Sequence, residues 1–488
     1  MKNKGLILFL LLLAFYFALH LFKLDVLPVF ADESIYIRWS QLIIDDFNRY
    51  LFYPMNDGKT PLLMWLTAPL LKIFADQLYA ARLVSVLLGA LTVSSIFLIL
   101  KKLEFKKAAY FGMFLAIISP FTFFYHRLAL TDALLLLNLS LTYFFVLKIN
   151  KSEGFWPILG AALFFFLAIL SKTPALLFMP VFYLSIFLED KIKLKFIWQK
   201  SFRISLALLL AGLAFYSLRI VPLFSQLFAV GGNFLQEKSV IFSPEIFSII
   251  SRNTTFFWTQ LLQYLGPVTL FLALPLFAKT RKQQIVLFLS ALVFLAPLIL
   301  LGKIVYPRYI LPSSLFFICS AAISLQNLGK RKLTQALAIF LIILPSSNFI
   351  YRAYFNVDQL PLSKADREQF LEEWSSGHGI KETVDLIKEL SKEQKVAVAT
   401  EGYFGTLPDG ILLNLHNQNV ENIYVEGIGQ PVRNIPESFW LKAREFDRQL
   451  LVVNSHRLQL ELPQSQLLAS FCRPNQAPCL EVWEIKEE

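Results

Sequence analysis

Charge is what this sequence has least of. Asp, Glu, Lys and Arg together make up 17% of its 488 residues, where a soluble globular chain carries ~25%. That deficit excludes an ordinary soluble enzyme and a disordered chain. Glycine is sparse too, at 19 residues, which rules out a collagen-like repeat, and three cysteines are too few for a disulfide scaffold. No C-x-x-C, H-E-x-x-H, Walker A or G-x-S-x-G pattern occurs, so common zinc, P-loop and nucleophile-elbow signatures are missing. What fills the chain is apolar: 56% of residues are hydrophobic and 48 are Phe. Such a composition implies a membrane protein with many spans.

Apolar runs lie at Gly5–Phe22, Ala80–Leu100, Ala108–Tyr125, Ala133–Leu147, Phe155–Leu170, Pro174–Leu188, Ile204–Ile220, Phe256–Phe277, Ile285–Leu301, Tyr309–Leu325 and Ala336–Ile350. A helix needs roughly 20 residues to cross a bilayer, so about eleven transmembrane helices are expected. No A-x-A-like cleavage site follows the first run, which reads as an uncleaved helix with Lys2 and Lys4 inside. Lys101, Lys102, Lys106 and Lys107, then Lys148 and Lys151, then Lys191, Lys193, Lys195, Lys200 and Arg203, then Lys279, Arg281 and Lys282, then Lys330, Arg331 and Lys332 fall in alternate loops on that same side. By the positive-inside rule this side is the cytoplasm. An odd number of spans puts the tail outside, on a plasma-membrane protein with an extracytoplasmic C-terminal domain.

The charge split agrees. From Tyr351 onward there are 14 Lys+Arg and 21 Asp+Glu, a net −7; residues 1–350 hold 32 and 14, a net +18. A part both basic and very apolar is a membrane domain, not a nucleic-acid binder. The division expected is a transmembrane domain over 1–350, with a long first outer loop at 23–79, and a soluble α/β domain over 351–488. In the tail, Lys381–Leu390 reads as an amphipathic helix, and Val396–Ala399, Asn422–Val425, Gln449–Val453, Leu467–Phe471 and Leu480–Ile485 read as strands. Cys472 and Cys479 are a disulfide or two free thiols.

The isolated charges of the outer face are the chemical candidates. Asp32 and Glu33 precede Ile35, Trp39, Leu42, Ile43 and Phe47, whose helical spacing suits a helix in the membrane interface. Asp32 at its N-terminus can act as a general base toward an acceptor, or the pair is a solvated loop. Lys59 precedes Pro61 and a second apolar segment, Leu62–Ala75, too short to span. It reads as a phosphate partner or a snorkelling lysine. Asp132 opens a nearly apolar span just after Arg127, and such intramembrane acids are functional candidates, although the two could form a structural pair. Lys172 and Arg308 sit beside prolines at span ends, able to hold a lipid phosphate or simply to anchor the helix.

Taken in order, Asp32-Glu33, GKTPLLMWL from Gly58, RLxSxLxGxLT over Arg82–Thr92, RLALTD ending at Asp132, LSKTPALLF around Lys172 and YPRYILP around Arg308 resemble the polytopic glycosyltransferases of the GT-C type. Within these, the chain is similar to the branch of protein O-mannosyltransferases and lipid A aminoarabinose transferases, over most of residues 25–315. The resemblance implies Asp32 as catalytic base, Asp132 as a second acid, Lys59 on the donor phosphate, and Arg308 and Tyr309 lining a donor-lipid cavity. Arg127 and Lys172 join the cations of that cavity. Two positions depart from the family pattern: Ile35 stands where an arginine is usual, with Arg38 one turn on as its substitute, and Gly58 replaces an acid before the lysine. Metal dependence stays open, with Glu33 the candidate ligand for a divalent ion; no other cofactor is implied.

The expected function is therefore transfer of a sugar, with inversion and without a nucleotide, from a polyprenyl-phosphate donor to a protein, lipid or glycan acceptor at the outer face. The alternative is a polytopic transporter or flippase. That would call for charges near mid-bilayer and paired broken helices, whereas these charges cluster at one face.

Overall fold

The computed structural model describes residues 2–151, 154–188, 193–231, 234–416, 418 and 421–487. The chain is mostly helical and divides into two compact units. The first comprises 1–24, 51–63 and 82–355, and the second 25–50, 64–81 and 356–488.

Among the described residues, seven helices are long and apolar enough to cross a membrane: Lys4–Leu21, Gln77–Lys102, Thr131–Lys151, Leu194–Ile220, Ala278–Leu301, Pro307–Leu328 and Lys332–Phe355. Shorter apolar helices lie at Leu62–Leu71, Trp156–Ser171 and Thr173–Leu188. The chain is thus a multi-pass membrane protein. Two expected runs are interrupted. Ala108–Tyr125 breaks into Lys106–Ile118 and Pro120–Tyr125, because Pro120 cannot continue the preceding helix. Phe256–Phe277 is instead the end of an amphipathic helix, Glu245–Leu265, and a short helix, Pro267–Ala273. Gly266, at φ +80°, and Pro267 separate them.

In the first unit, polar side chains join apolar helices: Ser95 donates to Ser140 at 2.6 Å, Asn138 to Ser171 at 3.1 Å and Gln284 to Ser324 at 2.7 Å. In lipid, where helices gain nothing from excluding water from one another, such bonds and small-residue contacts hold them together. Gly89, the glycine of the Arg82–Thr92 motif, is a close-approach point. A Cβ there would collide with the Tyr16 hydroxyl and the His126 ring. Arg82 of the same motif is fully buried and donates to the Leu24 carbonyl at 3.1 Å.

The second unit is built on a five-stranded sheet in the order β2-β1-β3-β5-β4. Its strands are β1 (Val396–Thr400), β2 (Ile423–Gly427), β3 (Arg448–Asn454), β4 (Leu467–Phe471) and β5 (Leu480–Glu484). All five match the expected strands. β1 runs parallel to β2 and β3, and β5 is antiparallel to β3 and β4. Ala397, Ala399, Leu451, Val453, Phe439 and Trp483 form its core. The start of the long first outer loop belongs to this unit: Ala31 N–H bonds the Ser375 carbonyl at 2.9 Å, Gly377 N–H the Val29 carbonyl at 2.7 Å, and Gln41 the Leu413 carbonyl at 3.0 Å. The Ala31–Asp45 helix buries Ile35, Trp39 and Ile43 in protein, where the sequence suggested a membrane interface. Periodicity reports an apolar face but not what covers it. The expected boundary at 350 also moves, since the last apolar helix runs on to Phe355.

Candidate active site

The first unit gathers five of the expected site residues, two of them an ion pair. The Thr131–Lys151 helix carries Asp132 in its first turn, where the helix dipole favours a carboxylate. The Trp156–Ser171 helix ends at Lys172, which is extended at φ −166° and ψ 130°. Pro174, two residues on, is compatible with that stop. This places the Lys172 Nζ 2.8 Å from the Asp132 Oδ1, with Asp132 4% and Lys172 24% exposed. The same ammonium lies 4.8 Å from the centre of the Tyr309 ring. Tyr309 and Arg308 come from the Pro307–Ser313 turn; Arg308 is buried, with its guanidinium 5.0 Å from the Tyr306 ring centre.

Lys59 completes the cluster. Burial holds the Lys172 pKa below the ordinary lysine value; Asp132 opposes that, and the charges of Arg308 and Lys59 add to it. Three cations therefore lie close enough to act on one another, a grouping that suits a phosphate. Gly58 precedes Lys59 at φ +68°, and a Cβ there would stand 2.7 Å from that of Val230. Backbone and neighbour both exclude the acidic side chain that the family pattern has at this point.

Arg127 bonds the end of the first helix. Its guanidinium donates to the carbonyls of His20 at 2.9 Å, Phe22 at 2.8 Å and Lys23 at 2.6 Å, at the end of the Lys2–Leu21 helix. It also lies over the Phe123 and Tyr354 rings. The His20 carbonyl is one of the orphans every helix C-terminus leaves, so Arg127 acts as a cap there.

Asp32, Glu33 and Arg38 belong to the second unit. Asp32 is half-buried in the first turn of the Ala31–Asp45 helix. Glu33 is fully buried, and its carboxylate accepts the Phe30 N–H at 3.0 Å, the reciprocal half of a capping box. Among the described residues, no three of His, Cys, Asp and Glu gather as metal ligands, and Glu33 is engaged with backbone. Arg38 donates to Gln41 at 3.2 Å. It also faces Asp409, a buried carboxyl that sequence reasoning did not single out. The legible signal was an acid following Pro408 and opening the short apolar helix Asp409–Leu415.

Residues 58–217 match the model of the dolichyl-phosphate-mannose-protein mannosyltransferase family. Across nearly its whole length the chain superposes on ArnT from Cupriavidus metallidurans in the apo state. The TM-score is 0.59 at 14% identity, over 99% of this chain and 98% of that one. This is the GT-C glycosyltransferase fold. The same ArnT bound to undecaprenyl phosphate matches this chain with a TM-score of 0.58 at 13% identity, over 99% and 98%. The oligosaccharyltransferase of Archaeoglobus fulgidus, in complex with Zn and sulfate, matches with 0.50 at 12%, over 92% and 68%. No curated protein sequence matches the chain.

Proposed function

We infer that this GT-C protein transfers a sugar from a polyprenyl-phosphate donor to an acceptor on the outer face of the membrane. The observation that carries the reading is the cluster of Lys59, Lys172 and Arg308 around Asp132 at the ends of apolar helices. A lipid-linked phosphate presents its charge at just such a place, with its chain among the helices. The match of ArnT with undecaprenyl phosphate and the mannosyltransferase-family match support the same donor class.

In the proposed reaction the acceptor hydroxyl loses its proton to Asp32. Its oxygen forms the new bond to the anomeric carbon, from the face opposite the departing phosphate. The bond from that carbon to the phosphate oxygen breaks, and the polyprenyl phosphate leaves with the electron pair. Lys59, Lys172 and Arg308 stabilise the charge that develops on it. Asp132 orients Lys172 and keeps the cluster from repelling itself. A protein, a lipid or an envelope glycan can each supply the hydroxyl.

The test is to incubate purified protein with radiolabelled polyprenyl-phosphate sugars and an envelope extract as acceptor. Labelled acceptor and released polyprenyl phosphate are expected. Movement of the intact donor across a vesicle bilayer with no transfer would make the protein a flippase.

A further inference from the structure

The second unit holds a group of polar and aromatic residues, at the carboxyl ends of β1 and β3, that the transfer reaction does not use. β1 and β3 lie side by side and parallel, but their outgoing connections part. From β1 the chain passes through the Asp409–Leu415 helix to β2, and from β3 it runs to the opposite edge of the sheet, β4 and β5. Open sheets take ligands outside the carboxyl ends of their strands at such a switch point.

The residues there form one connected group. Glu401, just past β1, is buried and accepts the Asn454 backbone N–H at 2.8 Å and its side-chain amide at 2.6 Å. The Arg457 Nη1 lies 3.2 Å from the same carboxylate, and its guanidinium lies 4.4 Å from the Trp374 ring centre. Trp374 in turn abuts Gly405, where a Cβ would be 3.8 Å from the ring. Gly405 belongs to the loop that carries Tyr403 and Phe404, which are 73% and 62% exposed. That loop is braced: Gly402 and Gly429 exchange backbone hydrogen bonds of 2.8 and 3.3 Å.

Each arginine at this edge has an acid to match it. Arg457 and Arg473 face Glu401 and Glu373. Where a dinucleotide's pyrophosphate would meet the following helix in such a sheet, this chain has Asp409, whose carboxylate accepts the Gly405 N–H at 2.7 Å. An anion is therefore disfavoured. What this surface offers is the exposed rings of Tyr403 and Phe404 beside a set of donors and acceptors. A sugar ring matches both, with C–H faces to stack on the rings and hydroxyls to pair with guanidinium and amide. We propose that this surface binds a neutral saccharide, through Tyr403 and Phe404 stacking and Arg457 hydrogen bonding.

Binding here is independent of transfer, so it is measured without a donor. Full-length protein in a sugar-free detergent is titrated calorimetrically with cellobiose, chitobiose and mannobiose, and separately with ADP. At least one disaccharide is expected to bind with a millimolar Kd, and ADP is not. Tyr403→Ala/Phe404→Ala changes only exposed loop residues and should weaken binding at least about tenfold, equivalent to ~1.4 kcal/mol. Arg457→Gln should do the same. The proposal is overturned if no disaccharide binds, if affinity is unchanged in both variants, or if ADP binds instead, since the Glu401 network would then be structural or a nucleotide site.

Discussion

Lys172 and Asp132 meet at 2.8 Å, 40 positions apart in the chain. The pair joins the end of one apolar helix to the start of another, with Arg308, Tyr309 and Lys59 around it. Breaking a buried pair costs about 3–5 kcal/mol because a lone charge is left behind, whereas replacing both partners by apolar groups is often neutral. Asp132→Asn is therefore expected to lower the Tm by several degrees and to reduce transfer sharply. Asp132→Leu/Lys172→Met should recover the Tm but not the activity. If the double variant is as unstable as the single one, the pair does not couple the two helices.

Asp32 and Lys59 are given different tasks, and different measurements separate them. Asp32→Asn keeps size and hydrogen bonding but removes basicity. Its single-turnover rate should fall ~10²–10⁴-fold, the usual loss for a general base, while donor affinity holds. Lys59→Ala should weaken donor binding first, with some rate loss as leaving-group stabilisation falls. Near-normal turnover of Asp32→Asn would move the role of base to Asp132.

The C-terminal domain is expected to be extracytoplasmic, from the Lys/Arg bias of the loops. The Cys472–Cys479 disulfide supports this, since such bonds persist in oxidising compartments. Protease added to intact spheroplasts should cleave within 356–488, and both thiols should resist alkylation until reductant is added. Cleavage only after lysis would reverse the topology.

Asp409 provides a pH signature. Burial pushes its carboxyl from 3.8 up to about 6, against the pull of the Gly405 N–H and Arg38. Between those values the folded protein holds a proton that the unfolded chain has lost, so this contribution is present below about pH 4 and lost as pH rises through about 6. Asp409→Asn lacks that dependence. Relative to the parent it should gain about 2–3 kcal/mol between pH 4 and pH 7, read as a widening Tm difference. A difference that stays flat would mean that burial does not control this carboxyl.

Much of this was legible because local chemistry is short-ranged. Apolar runs marked the long apolar helices, short apolar runs between turn residues marked the five strands, and the GKTP, LSKTP and YPRY segments marked the cations. Partnership was not legible. Nothing local says that Lys172 closes on Asp132, or that Arg127, five residues before that acid, turns to another helix's end. Nor can a stripe of Ile35, Trp39 and Ile43 tell protein from lipid as its cover. Glu33 shows the same limit: only the folded backbone reveals that this acid accepts the Phe30 N–H three residues before it.

Arg127 and Arg308 are both buried arginines near span ends, yet their expected losses differ in kind. Arg127 satisfies the carbonyls of His20, Phe22 and Lys23, and buried carbonyls without partners cost about 1–3 kcal/mol each. Arg127→Met should therefore lower the yield of folded protein and its Tm, while the folded fraction binds donor with parental affinity. Arg308→Met leaves the phosphate one cation short, so donor affinity should fall at least about tenfold, in line with the ~1.5–3 kcal/mol of a charged hydrogen bond. Conservative replacement sharpens the contrast. Arg127→Lys cannot span several carbonyls with one compact ammonium and should remain unstable, whereas Arg308→Lys keeps the charge and should restore part of the affinity. Donor binding measured per folded molecule, beside thermal unfolding of each variant, decides the matter: a loss of affinity in Arg127→Met would return that residue to the donor site.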